Sequence, residues 1–162
     1  MSKPLPFAWA TVMDESAQAI FERAAARART LGLGYAGAVT PQEAWALKQA
    51  GAADIVDVRT QPEYEYVGRV PDTVLVEWRK HGERSPSPTF IDELAERFPR
   101  ERALLFLCRS AVRSHHAATL ATERGFARAY NVLEGFEGEL DKQGHRGTLG
   151  GWRQAGLPWQ QS

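Results

Sequence analysis

Ala103-Leu104-Leu105-Phe106-Leu107 is the most apolar run in the chain, and Cys108-Arg109-Ser110-Ala111-Val112-Arg113-Ser114 follows it directly. A short apolar run between turn residues predicts a central strand that is buried on both faces. The polar residues after it predict a loop, and a helix is expected to start at Arg113 or Ser114. This order places Cys108 at the carboxyl end of a strand.

Strands and helices alternate along the rest of the chain. Apolar positions at helical spacing from Ala17 to Leu31 predict a leading helix that Asp14 is placed to cap. Thr40-Pro41-Gln42-Glu43 has the pattern of a capping box with proline at the first helical position. The other predicted elements are strands over 35–39, 53–58, 73–76 and 127–133, helices that begin at 60–63 and at Thr89, a loop over 79–88 and a short closing helix over Trp152 to Trp159.

This alternation predicts an α/β fold, a mostly parallel sheet with helices on both faces. The 162 residues suit one domain, which we place at residues 35–162, with residues 1–34 as an N-terminal helical extension. In open parallel sheets, ligands bind outside the carboxyl ends of the strands. Cys108 is therefore expected to lie where this architecture places its active sites.

The composition is that of a globular chain, with 43% hydrophobic and 25% charged residues. The 20 basic and 20 acidic residues cancel, which argues against nucleic acid as a partner. No membrane is expected as a partner, because no run approaches the roughly 20 apolar residues of a membrane span. The first ten residues lack an export signal, so a cytoplasmic location is expected. With one cysteine, neither an intramolecular disulfide nor a thiolate zinc cluster can form.

The loop after Cys108 has the features of an anion-binding site. Successive backbone N–H groups in such a loop can point inward, and the amino end of the next helix adds partial positive charge. Arg109 and Arg113 add full positive charges. All three effects favour the thiolate over the thiol and would hold an anionic substrate. The competing interpretation is a plain buried cysteine in the core.

Four segments resemble single-domain rhodaneses, which are sulfurtransferases that carry a persulfide on cysteine. Cys108-Arg109-Ser110-Ala111-Val112-Arg113-Ser114 resembles their active-site loop, and Asp57-Val58-Arg59 resembles their Asp-Val-Arg segment. Gly68-Arg69-Val70-Pro71-Asp72-Thr73 is similar to Gly-His-Ile-Pro-Gly-Ala, and 150–158 is similar to their closing segment. The four segments lie in the family's order and extend over roughly Tyr35 to Trp159.

The resemblance implies a rhodanese-like fold and transfer of sulfane sulfur through a persulfide on Cys108. It implies that a small anionic donor such as thiosulfate binds in the loop and that cyanide, a thiol or a protein accepts the sulfur. No cofactor and no metal are expected. The implied substrate-binding residues are Arg109, Ser110, Ala111, Val112 and Arg113.

Other residues have two interpretations or depart from the family pattern. Asp57 and Arg59 either position the loop or form a structural ion pair. Trp78 either lines the site or packs in the core, and one histidine of the pair 115–116 could lie near the loop. Many relatives have glycine where this chain has Ala111, and the family's middle segment has histidine and glycine where this chain has Arg69 and Asp72. Residues 137–150 look like an insertion. This insertion would form a lid, a partner surface or a passive loop.

Two other functions are compatible with a cysteine loop in this position. A cysteine phosphatase or arsenate reductase needs five residues between cysteine and arginine, whereas four separate Cys108 from Arg113. The loop is therefore one residue too short for a phosphate ester. The other alternative is a non-catalytic rhodanese-like binding or regulatory module.

Overall fold

The computed structural model describes residues 16–162, which form one parallel sheet with helices on both faces. The strands are β1 (Gly37–Val39), β2 (Asp54–Asp57), β3 (Val74–Leu75), β4 (Leu104–Leu107) and β5 (Ala129–Val132). The α-helices are α1 (Ala17–Leu31), α2 (Pro41–Gln49), α3 (Phe90–Arg97) and α4 (Val112–Glu123), and Glu63–Val67 forms a π-helical turn. The strand order is β1-β5-β4-β2-β3, and every pair is parallel, which confirms the predicted fold class.

Strand β4 is the central strand, and its side chains alternate between two apolar clusters. Leu105 and Leu107 pack on one face with residues of α1 and α2. Leu104 and Phe106 pack on the other face with residues of α3 and α4. All four side chains are fully buried, as expected for a parallel strand covered on both faces. Cys108 follows on the α3/α4 side.

Helix α1 packs against the edge of the sheet. Ser16 caps it, since the Ser16 hydroxyl accepts a hydrogen bond from the backbone N–H of Ala19 at 3.2 Å. Asp14, the cap expected from the sequence, lies outside the described residues. Ile20 and Ala24 of α1 are buried in the same cluster as Val39 of β1. The division of the chain at residue 34 stays a prediction.

The capping box of α2 is confirmed. The Thr40 hydroxyl accepts from the N–H of Glu43, and the Glu43 carboxylate accepts from the N–H of Thr40. At the predicted helix start over 60–63, the Glu63 carboxylate accepts from the Thr60 N–H at 3.2 Å and from the Thr60 hydroxyl at 2.9 Å. The segment after it forms the π-helical turn, in which the N–H of Gly68 bonds to the carbonyl of Glu63.

Several elements differ from the sequence prediction. Helix α4 begins at Val112, before the predicted start at Arg113 or Ser114. Strands β1, β2, β3 and β5 are each shorter than the strands predicted over 35–39, 53–58, 73–76 and 127–133. The predicted closing helix over Trp152 to Trp159 was wrong, because this segment forms turns. Gly156 takes a positive φ of 78°, and the Trp152 indole N–H bonds to the carbonyl of Pro158 at 2.8 Å, so the chain folds back on itself.

None of the helices found within residues 16–162 has the length and apolarity to cross a lipid bilayer.

Gly37 of β1 lies close against the backbone of α1. A Cβ atom on Gly37 would lie 2.6 Å from the backbone carbonyl carbon and oxygen of Ala24. Because a helix backbone cannot yield as a flexible side chain can, we expect Gly37→Ala to lower the free energy of unfolding by about 1 to 3 kcal/mol. Urea denaturation of the full chain measures this change.

Gly34→Ala is the matched control, because a Cβ atom there has no neighbour within 4 Å in the described structure. We expect this control to change the free energy of unfolding by less than about 1 kcal/mol. Equal losses in the two variants would contradict the close packing of α1 on β1.

Candidate active site

Cys108 lies at the carboxyl edge of the sheet, directly after β4. Asp57 at the end of β2 is in register with Leu107, so the two strands end at the same level. The Cys108 side chain is only 1% exposed, yet it lines a cavity of about 340 Å³. Cys108 is therefore both a packed residue of the apolar cluster beneath α3 and α4 and a wall of a cavity. The other lining residues are Trp78, Arg79, Arg109, Ser110, Val112, Arg113 and His116.

The Cys108 sulfur lies at the amino end of α4. The backbone N–H of Ser114 donates to Sγ at 3.3 Å, and the Ser114 hydroxyl lies 3.2 Å from Sγ. Ser114 is the third helical residue, a position whose N–H is normally satisfied by a capping side chain. The N-cap residue, Ala111, has no side chain that can do this. The Cys108 sulfur therefore occupies the place of a helix cap, where the helix dipole favours negative charge.

Asn131 holds this arrangement from the neighbouring strand. The Ser114 hydroxyl donates to Asn131 Oδ1, and Asn131 Nδ2 donates to the carbonyl of Ala111 at 3.2 Å. Asn131 is buried in the middle of β5, where a polar side chain is stable only if it is hydrogen-bonded. One amide side chain therefore links the strand, the loop and the residue that contacts the sulfur.

Backbone N–H groups of residues 136–138 hold the loop by donating hydrogen bonds to its carbonyl groups. The carbonyl of Cys108 accepts from the N–H of Phe136 at 2.8 Å. The carbonyl of Arg109 accepts from the N–H groups of Glu137 and Gly138. Within residues 16–162, none of the five backbone N–H groups of residues 109–113 donates to a protein atom. We call these five groups the anion cradle. They remain available to an anion beside Cys108.

Ala111 turns the loop in a conformation that favours glycine. Its φ is 76°, and the same left-handed region is occupied by Asp72 at φ 56°. These are the two positions at which the family resembled by the sequence has glycine. Such a φ costs an alanine about 1 kcal/mol relative to glycine. Both residues therefore hold a backbone conformation that glycine would adopt without this cost.

Arg113 is fixed by an ion pair with Glu63. Its two terminal nitrogens donate to the two carboxylate oxygens at 2.7 and 2.9 Å. Burial acts to raise the pKa of Glu63, but hydrogen bonds and charge from Arg113, with added bonds from Thr60, outweigh it and lower the pKa to about 2. Both side chains are less than one-fifth exposed. Glu63 therefore orients a cation that lines the Cys108 cavity.

Asp57 and Arg59 form a fully buried ion pair that does not line this cavity. Arg59 donates to Asp57 at 2.7 to 3.2 Å and to the carbonyl of Gly68 at 2.7 Å. The guanidinium carbon lies 4.4 Å from the ring centre of Phe136, whose N–H holds the Cys108 carbonyl. This geometry is that of a structural ion pair. The supporting role of Asp57 and Arg59 stays a prediction.

Trp78 and the histidine pair 115–116 also have defined positions. Trp78 lines the Cys108 cavity and packs edge-on against Phe90, so both interpretations of Trp78 apply. His116 lines the cavity, whereas His115 hydrogen-bonds with the hydroxyl of Tyr35 at 2.7 Å.

Sequence reasoning missed Glu63 and Asn131. No local pattern links Glu63 to Arg113, which lies 50 positions further along the chain. Asn131 did carry a signal, because a polar residue inside a predicted buried strand requires a partner.

Comparisons with known proteins agree with this geometry. Residues 40–140 match the family described as "Rhodanese-like domain". The crystal structure of Rv0390 from M. tuberculosis is 48% identical, covers 79% of this chain and 99% of its own, and superposes with a TM-score of 0.71. The uncharacterized protein RC0915 of Rickettsia conorii is 32% identical over 67% of this chain and 83% of its own length. The thiosulfate sulfurtransferase GlpE of Actinobacillus pleuropneumoniae is 27% identical over 74% of this chain and 89% of its own.

The Glu63–Arg113 pair predicts a pH-dependent stability. Because folding lowers the pKa of Glu63 from 4.5 to about 2, the pair stabilises the fold above pH 4.5 and loses this effect as the pH falls toward 2. We expect Glu63→Gln to lower the free energy of unfolding by about 2 to 3 kcal/mol at pH 7. The difference in the free energy of unfolding between Glu63→Gln and the wild type should shrink as the pH falls from about 5 to about 3. Urea denaturation across this range measures it.

Asp54→Asn serves as the control, because Asp54 also pairs with an arginine but is 45% exposed. Exposed pairs contribute less than about 1 kcal/mol. A Glu63→Gln deficit that stays constant across the pH range would contradict the assignment of the low pKa to this carboxylate.

Proposed function

The chain belongs to the rhodanese-like domain family, and from that premise we propose that it is a sulfurtransferase with Cys108 as its nucleophile. The observation that carries the proposal is the position of the Cys108 sulfur, which accepts a helix-terminal N–H and lines a cavity beside five available backbone N–H groups. The relative named thiosulfate sulfurtransferase supports thiosulfate as the donor.

In the first half of the reaction, the Cys108 thiolate attacks the outer sulfur of thiosulfate. A sulfur–sulfur bond forms at Cys108, the bond between the two sulfurs of thiosulfate breaks, and sulfite leaves with the electron pair. The enzyme then carries a Cys108 persulfide. The rate of such a step depends on the fraction of thiolate, on the leaving group and on access to the sulfur.

In the second half, the acceptor attacks the outer sulfur of the persulfide. Cyanide leaves as thiocyanate, or a thiol leaves as its persulfide, and Cys108 returns to the thiolate. The two half-reactions share one covalent intermediate, so ping-pong kinetics are expected. The reaction needs no electron donor or acceptor, since sulfur passes between two nucleophiles.

The loop residues have distinct roles in this proposal. Backbone N–H groups of the anion cradle bind the sulfonate of the donor and then the negative outer sulfur of the persulfide. Arg113, held by Glu63, and Arg109 add positive charge at the cavity wall. Ser110, Ala111 and Val112 contribute through their backbone rather than their side chains. A cytoplasmic location stays a prediction.

Intact-mass spectrometry under non-reducing conditions tests the proposal. After incubation with thiosulfate and removal of the excess, we expect the wild-type mass to rise by about 32 Da, the mass of one sulfur atom in a covalent intermediate. Cyanide should remove this increment and release thiocyanate. Cys108→Ser should gain no sulfur and form no thiocyanate.

The serine variant is first shown to be folded by circular dichroism and by its urea midpoint. A wild-type protein that gains no mass from thiosulfate would point to a binding module instead of an enzyme. Sulfur transfer by Cys108→Ser at the wild-type rate would refute Cys108 as the nucleophile.

A further inference from the structure

A second and larger cavity adjoins the Cys108 cavity. Its volume is about 620 Å³, and residues from 60–67 and 79–83 line it together with Arg109, Arg113, Glu137 and Arg146. We call this cavity the outer basin. The two cavities share three lining residues, Arg79, Arg109 and Arg113, and all three are arginines. A molecule in the outer basin therefore reaches the Cys108 cavity past a boundary of guanidinium groups.

The outer basin has an excess of positive charge that the described protein does not neutralise. Its carboxylates Glu63 and Glu137 are paired with Arg113 and Arg153, respectively. Within residues 16–162, Arg79 and Arg109 form no ion pair with a carboxylate. Of the lining carboxylates, Glu83 alone is without an ion pair in the described part of the chain.

Arg146 comes from the insertion over residues 137–150, which folds into a defined loop. The Asp141 carboxylate accepts from the N–H groups of Gln143 and His145 and from the Thr148 hydroxyl, all within 2.9 Å. Arg146 donates to the carbonyl of Gly138 at 2.8 Å and has no carboxylate partner among residues 16–162. The insertion therefore adds a third arginine without an ion pair among the described residues, after Arg79 and Arg109, to the wall of the outer basin.

Resting on the proposed function, we propose that the outer basin binds the sulfur acceptor and that this acceptor is a small thiol whose far end carries carboxylates. The volume suits a molecule of that size, since ligand pockets commonly measure about 300 to 1,000 Å³. Pro62, Tyr66 and Val67 provide apolar surface for its stem. Arg79 and Arg146 provide the charges for its carboxylates, and guanidinium groups bind carboxylates through paired hydrogen bonds.

The transfer step is balanced without a further reactant. The acceptor thiol attacks the outer sulfur of the negatively charged Cys108 persulfide. A new sulfur–sulfur bond forms in the acceptor, the bond to Cys108 breaks, and Cys108 keeps the electron pair as a thiolate. The proton of the acceptor thiol ends on its new terminal sulfur, so the product leaves as a neutral persulfide group.

The test compares two acceptor thiols that differ in the charge at their far end. The probes are glutathione, a tripeptide thiol with two carboxylates, and its diethyl ester. Each reacts with protein already loaded with sulfur, and loss of the 32 Da increment gives the second-order rate. We expect the wild-type protein to prefer glutathione over the ester. Arg79→Gln and Arg146→Gln should each lower this rate ratio about three- to fivefold.

Lys142→Gln is the matched control, because it removes the same charge from the same insertion at an exposed residue that does not line the basin. It should keep the wild-type ratio. A ratio near one in the wild type, or an unchanged ratio in both arginine variants, would overturn the inference. The rates are measured only on sulfur-loaded protein, so these outcomes leave the proposed function intact. Failure of the protein to load sulfur would instead contradict the proposed function itself.

Discussion

The active-site loop depends on hydrogen bonds that reach its carbonyl groups from residues 136–138. These bonds hold the backbone of Cys108 and Arg109 through their carbonyl oxygens. The backbone N–H groups of residues 109–113 therefore remain available. The bonds to the carbonyl oxygens require two stretches of backbone to lie almost in contact. A Cβ atom on Gly135 would overlap the backbone of Arg109, and Gly135 also has a positive φ of 68°. Glycine at this position is therefore necessary for the loop to keep its shape.

Electrostatics and burial act together on the Cys108 sulfur. A nearly buried thiolate would be costly without compensation, because an apolar surrounding disfavours charge. In the proposed mechanism, the amino end of α4, the anion cradle and Arg113 at the cavity wall provide this compensation. Glu63 fixes the position of Arg113 but also offsets part of its charge. Positive charge that is not offset remains at Arg79 and Arg109, on the boundary between the two cavities.

Local sequence patterns were sufficient to predict the parts of the fold that depend on interactions between residues close together in the chain. The apolar run that forms β4, followed by polar loop residues, predicted where Cys108 lies, and Thr40 with Glu43 predicted the start of α2. The resemblance to rhodaneses predicted that residues 109–113 bind substrate, and this role stays a prediction. The expected helix over Trp152 to Trp159 was wrong because backbone reversal at Gly156 and the indole bond to Pro158 outweigh helical spacing.

Long-range partners could not be predicted from one sequence. Glu63 meets Arg113 because β2 and β4 are neighbours in the sheet, and strand order is not visible in either segment. The same is true of Arg146, which the insertion brings to a cavity shared with residues from 60–67. Each of these contacts joins residues that are close only after the sheet has formed.

The central claim is that backbone N–H groups of residues 109–113 bind the negative outer sulfur on Cys108. Amide ¹H–¹⁵N correlation spectra of the protein before and after loading with thiosulfate test it most directly. We expect the largest shift changes to fall on residues 109–113, toward lower field, and to reverse when cyanide removes the sulfur. Sulfur loading that is confirmed by mass but leaves these amide signals unmoved would contradict it.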